Sequence, residues 1–355
     1  MQAEPAPIPS ALAGLSPACF AMVMATGIVS IAARLEGMHW IAWALFALNI
    51  AAWLAFCALS SLRLARYPGR VLADIGDHLR GPGFFTAPAA TAVLGSQFAL
   101  FGAGDALATA LGALAAVLWL VLTYAIFTAL TIKQDKPALD KGISGAWLLA
   151  VVATQSLAVL GALLAARLPQ PWRSELNFFA LSMWLWGGML YIWMISLIFY
   201  RYTFFALAPG DLTPPYWINM GAMAISTLAG SLLVANAPDA PLLQGLLPFL
   251  KGFTVLYWAT GTWWIPMLLV LGLWRYVYKR FPLRYNPLYW GAVFPLGMYG
   301  VCTLEMTRAL GLDFLGGVAP AFLYVALAAW AAAFTGLLRR LLRMGREASS
   351  RLATR

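Results

Sequence analysis

The stretch Ser16–Ser30, SPACFAMVMATGIVS, contains a helix-start pattern that recurs along the chain. Ser16 can cap a helix that begins at Pro17, because proline is favoured at the first helical position, and Phe20 follows three positions later. Apolar and small residues make up nearly all of the positions that follow. The length of this apolar run predicts a helix that crosses a membrane.

The same start recurs along the chain. A proline or small polar residue is followed three positions later by an aromatic residue at Pro17 and Phe20, Pro82 and Phe85, Ser144 and Trp147, Pro214 and Trp217, and Pro287 and Trp290. The starts recur every 62 to 73 residues, which predicts a helical hairpin repeated five times. Thr213 and Asn286 precede prolines in the same way as Ser16, so all three are expected to cap their helices.

Composition places the chain in a membrane. Of its residues, 62% are hydrophobic and 10% are charged, whereas soluble proteins carry about 25% charged residues. Ten apolar runs predict spans at 17–35, 40–62, 84–102, 106–132, 145–166, 176–200, 215–235, 247–275, 287–310 and 314–338. We therefore expect an all-α integral membrane protein with a tail at 1–16, a transmembrane domain at 17–338 and a basic tail at 339–355.

The odd-numbered spans carry hydroxyls, amides, glycines and prolines, whereas the even-numbered spans are richer in Leu, Ala and Trp. This contrast predicts five inner helices around a central pore, with five outer helices facing lipid. The candidate pore-lining residues are Phe20, Thr26, Phe85, Pro88, Thr91, Trp147, Thr154, Asn219, Ser226, Gly291 and Tyr299. Pro88 and Pro295 are expected to break helices inside spans. Close helix packing and kinks satisfied by neighbouring helices are the alternative interpretations.

Basic residues set the expected orientation. Of the 23 Lys and Arg residues, 18 fall in loops after even-numbered spans or in the C-terminal tail. Both termini are therefore expected to be cytoplasmic, in a multi-pass protein of the plasma (inner) membrane. The net charge of +10 then requires no nucleic-acid partner. The segment Met1–Ser16 has no basic region, so no cleavable signal peptide is expected.

Catalytic and metal-binding patterns are missing from the sequence. The two histidines, His39 and His78, fall in loops predicted on opposite membrane faces, and the three cysteines lie inside spans as small apolar residues. We therefore expect neither an enzyme nor a bound metal or cofactor. The aspartates all fall in predicted loops or at helix ends, which argues against a cation pathway and favours a small anion as substrate.

Two segments resemble a known family. Ser16–Ser30 is similar to the first helix of fungal members of the tellurite-resistance/dicarboxylate transporter family, and Asn286–Tyr299, NPLYWGAVFPLGMY, is similar to the ninth helix of its channel members. The family includes plant slow-type anion channels, malate permeases and sulfite exporters, and the resemblance covers nearly the whole chain. The stretch Met22–Gly27 is closer to the carriers, so both a channel and a carrier remain open.

The resemblance implies a pore formed by helices 1, 3, 5, 7 and 9, and a homotrimer with one pore per subunit. It also implies a gate at Phe294, directly before Pro295, although a packing role for this phenylalanine is the alternative. The implied substrates are C4-dicarboxylates such as malate, sulfite or inorganic anions, with tellurite resistance as a secondary phenotype.

Glu305 is the exception among the acidic residues because it lies within the ninth predicted span. Arg308 lies three positions further on the same helix face, so the two residues are expected to form an ion pair. A second interpretation is that Glu305 takes up a proton that accompanies the substrate. The alternative functions are a ten-helix metabolite or drug exporter, which would show two halves of opposite orientation, and an intramembrane enzyme.

Overall fold

The computed structural model of this protein describes residues 12–283 and 285–353. Ten long helices make up most of the described chain and confirm the all-α expectation. Their bounds are α1 Ala21–Leu35, α2 His39–Arg66, α3 Thr86–Phe101, α4 Asp105–Ile132, α5 Leu149–Ala165, α6 Trp172–Phe204, α7 Ile218–Asn236, α8 Leu247–Leu273, α9 Trp290–Leu310 and α10 Val318–Ala353. Most of the predicted tail 1–16 lies outside the described residues, and α10 continues through much of the predicted tail 339–355.

Within the described residues, nine of these helices, all but α9, are long and apolar enough to cross a bilayer. Helix α9 has 21 residues, or about 31 Å at 1.5 Å per residue, which matches the hydrocarbon core of a membrane. It carries Glu305 and Arg308 near its C-terminal end, and these charges lower its mean hydropathy. Because α9 packs against α1, α7, α8 and α10, its neighbours shield it from lipid.

The odd-numbered helices form a closed inner ring. Each packs against the next odd-numbered helix, from α1 through α3, α5 and α7 to α9, and α9 packs against α1. Each also packs against the even-numbered helix that follows it in the chain. Of the most apolar window in each helix, 78% to 94% is buried in α1, α3, α5 and α7, against 11% to 44% in the even-numbered helices. The predicted division into inner and outer helices is confirmed.

A 3₁₀ turn leads into every inner helix, at the position of the repeated start motif. These turns are Pro17–Phe20, Gly81–Phe85, Gly145–Leu148, Pro214–Trp217 and Pro287–Tyr289. Ser16 accepts a hydrogen bond from the backbone N–H of Ala18, and Asn286 accepts one from Leu288. The predicted cap at Thr213 is wrong, since its side chain makes no capping bond. The residue two positions after Thr213 is Pro215, which has no N–H to donate.

The two prolines predicted to break spans differ in their surroundings. Pro88 is the third residue of α3, in the first helical turn, where a missing N–H breaks no helical hydrogen bond. The prediction of a break inside the span is therefore wrong for Pro88. Pro295 does lie inside α9, and its ring packs against Gly221 of α7. A Cβ atom on Gly221 would lie 2.6 Å from Pro295 Cγ, so α9 approaches α7 closely at this glycine.

Candidate functional site

A cavity lies on the axis of the inner ring, near the C-terminal ends of its helices. Its volume is ≈ 70 Å³. The residues that line it are Ile31 and Leu35 of α1, Ser96 and Leu100 of α3, Val159 and Leu163 of α5, Leu228 and Leu232 of α7, and Val301 and Glu305 of α9. Each inner helix thus contributes two residues four positions apart, which lie on one face of a helix. All five inner helices therefore run in the same direction and turn equivalent faces to a common space.

The lining of this cavity is almost entirely apolar. Ser96 donates its hydroxyl proton to the carbonyl oxygen of Ala92 in its own helix, so the hydroxyl is already engaged. Glu305 is the only ionisable residue among the ten, and Arg308 Nη1 lies 2.8 Å from its Oε1. The predicted ion pair is present. Arg308 is half exposed and Glu305 less so, which leaves the pair at the open end of the cavity.

Phe294 lies on the same face of α9 as the cavity residues. It precedes Val301 by seven positions, nearly two helical turns. Other faces of α9 are occupied by neighbours, because Pro295 contacts α7 and Tyr299 forms a 2.7 Å hydroxyl–hydroxyl hydrogen bond with Thr262 of α8. The Phe294 side chain is only 2% exposed. Helical periodicity therefore places Phe294 on the cavity-facing side of α9, about two turns before Val301.

The ring of helices is filled at the level of Phe294. The residues seven positions before the first cavity residue of the other inner helices are Met24, Ala89, Val152 and Gly221. All four are buried, as is Phe294. Phe294 has the largest side chain of the five. The open space on the axis is therefore bounded on one side by a layer of close-packed apolar groups.

The inner-helix threonines are hydrogen-bonded away from this axis. A tryptophan Nε1 from an outer helix donates to Thr26 Oγ1 (Trp330, 3.0 Å), Thr91 Oγ1 (Trp53, 3.0 Å), Thr154 Oγ1 (Trp119, 2.8 Å), Thr303 Oγ1 (Trp258, 3.0 Å) and the Ser226 carbonyl oxygen (Trp184, 2.8 Å). Every inner helix receives one such bond. Thr26, Thr91 and Thr154 were predicted to line the pore, but their hydroxyls are turned to the outer helices.

The other predicted lining residues also contact protein neighbours outside the cavity. The rings of Phe20 and Phe85 pack on those of Phe56 and Phe127. Three residues donate hydrogen bonds: Trp147 to the carbonyls of His78 and Gly142, Asn219 to Tyr202 Oη, and Ser226 to the Ala222 carbonyl. Gly291 approaches Pro215. None of the eleven predicted lining residues is among the ten that line the cavity. The start motif could have located the cavity residues in the sequence, because the first cavity residue of each inner helix lies 11 or 12 positions after the motif aromatic.

Buried arginines mark the opposite end of the bundle. Arg63 of α2 and Arg201 of α6 lie near the C-terminal ends of outer helices and pair with Asp74 and Asp211 at 2.5 and 3.1 Å. Asp74 also accepts a 2.6 Å hydrogen bond from Arg80. Burial alone would raise the pKa of Asp74, but hydrogen bonds from Arg80 and Arg63 outweigh it and hold the pKa below its ordinary value of 3.8. This end of the bundle is rich in positive charge.

A closed ring of buried helices around a common cavity, wrapped by apolar helices of bilayer length, defines a multi-pass membrane transport protein. The chain belongs to the voltage-dependent anion channel family, SLAC1, because the sequence model of that family matches residues 14–338. This result agrees with the family resemblance of the first and ninth helices. Transport of anions across a membrane is the function that the family describes.

Similar proteins agree with this assignment. The chain is 26% identical over 312 residues to an uncharacterized transporter of Methanocaldococcus jannaschii, which covers 84% of this chain and 87% of the relative. It is 42% identical over 154 residues to an uncharacterized membrane protein of Mycobacterium tuberculosis, which covers 43% of this chain and 77% of the relative. A second M. jannaschii transporter is 26% identical over 295 residues.

Proposed function

We propose that this protein moves small anions along the axis of the inner ring, through the cavity and past Phe294. The observation that carries the proposal is the cavity itself, to which all five inner helices contribute equivalent residues four positions apart. A space between two helices would serve packing alone, but a space shared by five pseudo-equivalent helices lies where a transport pathway needs it. The family match supports the same pathway.

Phe294 is the proposed gate. Its ring is the largest group in the close-packed layer below the cavity, and it precedes a proline that loosens the local helix. A narrow apolar constriction blocks hydrated ions because water leaves it. Removal or rotation of one phenyl ring is then the smallest change that opens the axis.

The proposed substrates are small anions such as malate, sulfite or inorganic anions. Few charged groups line the axis, so a bound anion is not held tightly and can leave. The direct test is flux in proteoliposomes against a panel of chloride, nitrate, sulfite and malate, with protein-free liposomes as the control. Uptake of at least one anion above that control is expected. Folded protein that passes none of the four would contradict the proposal.

Glu305 is the proposed site of proton coupling. It is the only ionisable residue in the cavity lining, and a negative carboxylate there repels an approaching anion unless Arg308 or a proton neutralises it. Entry of an anion with a proton on Glu305 keeps the cavity near neutrality. A passive channel would need only the Arg308 pair.

A metabolite or drug exporter is the second candidate. Such a protein is built from two five-helix halves of opposite orientation. Here the start motif, the cavity residues and the tryptophan bonds recur in every inner helix in one orientation, which favours the anion pathway.

The arrangement in the membrane forms part of the proposal. We place the arginine-rich end of the bundle and both termini in the cytoplasm of the cell, with the protein in the plasma (inner) membrane, because basic residues are retained on that side. A homotrimer with one pathway per subunit follows from the family resemblance. The mass of the complex in detergent, measured by light scattering, tests this assembly, and a monomeric mass would contradict it.

A further inference from the structure

A second cavity lies off the axis, at the arginine-rich end of the bundle. Its volume is ≈ 90 Å³, and it is bounded by the 3₁₀ turn that precedes α7, the end of α8 and the start of α9. Gly272 of α8 is part of its lining, and the lining residues that carry polar groups are Thr213, Tyr216, Trp217, Arg275, Tyr276 and Tyr289. This cavity is separate from the proposed pathway, because no residue lines both.

Arg275 is buried in the wall of this cavity and forms no ion pair with a carboxylate of the described residues. The residue is only 7% exposed. One guanidinium nitrogen, Nη1, donates to the carbonyl oxygen of Leu212, while Nε has no hydrogen-bond partner among the described residues. No Asp or Glu oxygen of the described chain lies within 4 Å of it. The rings of Tyr276 and Phe281 lie 5.0 and 4.4 Å from the guanidinium carbon, and they stabilise the cation without neutralising it.

The equivalent arginine of α6 does have a carboxylate partner. Arg201 follows the bonding tryptophan of α6 by 17 positions, and Arg275 follows that of α8 by 17 positions. Arg201 pairs with Asp211, ten residues further along the chain. No Asp or Glu occurs anywhere between residues 240 and 304. The chain around Arg275 therefore supplies no acid like Asp211, which neutralises the counterpart arginine, Arg201.

We propose that this cavity binds the phosphate group of an anionic phospholipid from the adjoining leaflet. A guanidinium presents N–H donors in a fork that matches phosphate oxygens. The hydroxyls of Tyr276 and Tyr289 form a 2.9 Å pair beside it and can donate a further proton to the ligand. A phosphate in the cavity would supply the negative charge that Arg275 lacks among the described residues.

The position of the cavity favours a lipid over a free phosphate ion. Leu269 and Leu273 of α8 are exposed on the membrane-facing surface beside Gly272. A Cβ atom built on Gly272 meets no atom within 4 Å, so an acyl chain has room to lie along the helix there. Basic pockets between helices at the cytoplasmic side of a membrane are general binding sites for anionic headgroups.

The test compares thermal unfolding of the purified full-length protein in detergent with phosphatidylglycerol, phosphatidylcholine or inorganic phosphate added. Phosphatidylglycerol is expected to raise the melting temperature of the wild type by about 2–4 °C, because a ligand that binds only the folded state stabilises it. A larger shift with phosphatidylglycerol than with phosphate identifies the lipid as the ligand. An equal shift with inorganic phosphate supports the oxyanion site and overturns the lipid assignment.

Two variants and a control locate the effect. Arg275→Gln removes the cation, and Gly272→Leu fills the cavity while retaining Arg275. Gly252→Leu is the matched control, because Gly252 lies on α8 away from the cavity and its Cβ would also meet no atom within 4 Å. We expect the lipid shift to be lost in Gly272→Leu and kept in Gly252→Leu, even if Arg275→Gln folds poorly. An unchanged shift in Gly272→Leu, or no shift in the wild type, overturns the proposal. The assay measures no transport, so its result is independent of the proposed function.

Discussion

Trp330 Nε1 donates a hydrogen bond of 3.0 Å to Thr26 Oγ1, although the two residues are 304 positions apart. This bond joins the last outer helix to the first inner helix and so completes a circle of five equivalent contacts. The other four join each outer helix to the inner helix that follows it. Five indole N–H groups are satisfied in this way inside a membrane, where an unpaired polar group is costly.

The bond between Trp330 and Thr26 predicts a measurable coupling. Trp330→Phe leaves the buried Thr26 hydroxyl without its donor, and we expect the free energy of unfolding in detergent to fall by about 1 kcal/mol. The double variant Trp330→Phe with Thr26→Val should recover about 0.6–1.7 kcal/mol of coupling in a double-mutant cycle. The control is Trp263→Phe, since Trp263 is more than half exposed. Equal losses at both tryptophans would contradict the role of the bond.

Phe294→Ala removes the largest group from the close-packed layer on the axis. We expect anion flux in proteoliposomes to rise by about tenfold, the change produced by lowering a barrier by ~1.4 kcal/mol. Phe253→Ala, on the outer helix α8, is the control and should leave flux unchanged. If Phe294→Ala folds normally and conducts like the wild type, Phe294 is a packing residue and the gate lies elsewhere.

Glu305→Gln keeps the shape of the cavity and removes its titratable group. We expect flux driven by a concentration gradient to persist, while its dependence on a pH gradient disappears, because glutamine cannot exchange a proton. Glu175→Gln, at the exposed start of α6, is the matched control. Retention of the pH-gradient dependence in Glu305→Gln would remove this carboxylate from the coupling mechanism.

Substitutions at Val159 and Thr91 distinguish residues that line the axis from residues that contact the outer helices. Val159→Phe adds bulk to the cavity and should reduce flux several-fold. Thr91→Val removes the hydroxyl that accepts from Trp53, so it should lower stability by about 1 kcal/mol and leave flux unchanged. Flux and thermal unfolding are measured on both variants. Loss of flux in Thr91→Val with normal stability would place its side chain in the pathway instead.

The pH dependence of stability should report on Asp74. Its pKa is lower in the folded protein than its ordinary value of 3.8, so its pairs with Arg63 and Arg80 stabilise the fold above about pH 4. This stabilisation is lost as the pH falls further, because the unfolded state takes up a proton on Asp74 more readily than the folded state does. We expect Asp74→Asn to be less stable than the wild type at pH 6 and the difference to shrink toward pH 3. A constant difference across this range would exclude the linkage.

Helix number, the hairpin repeat and the division into inner and outer helices were predicted from residues alone. Apolar length and the start motif at Pro17 and its four counterparts are local properties, and they need no knowledge of what a helix contacts. Pro88 shows that an apolar run alone does not tell whether a proline within it breaks the helix. Its distance from the helix start, not its presence in an apolar run, decides whether it breaks a hydrogen bond.

The rotation of each inner helix about its own axis was decided only in three dimensions. Helices such as α5 are buried on nearly every side, so their hydropathy has no polar face to mark the direction of the pore. Thr154 therefore looked like a pore residue until Trp119, 35 positions away, was seen to hold its hydroxyl outward. The axial cavity and the cavity at Arg275 likewise arise from groups on separate helices, whose meeting depends on packing across the whole bundle.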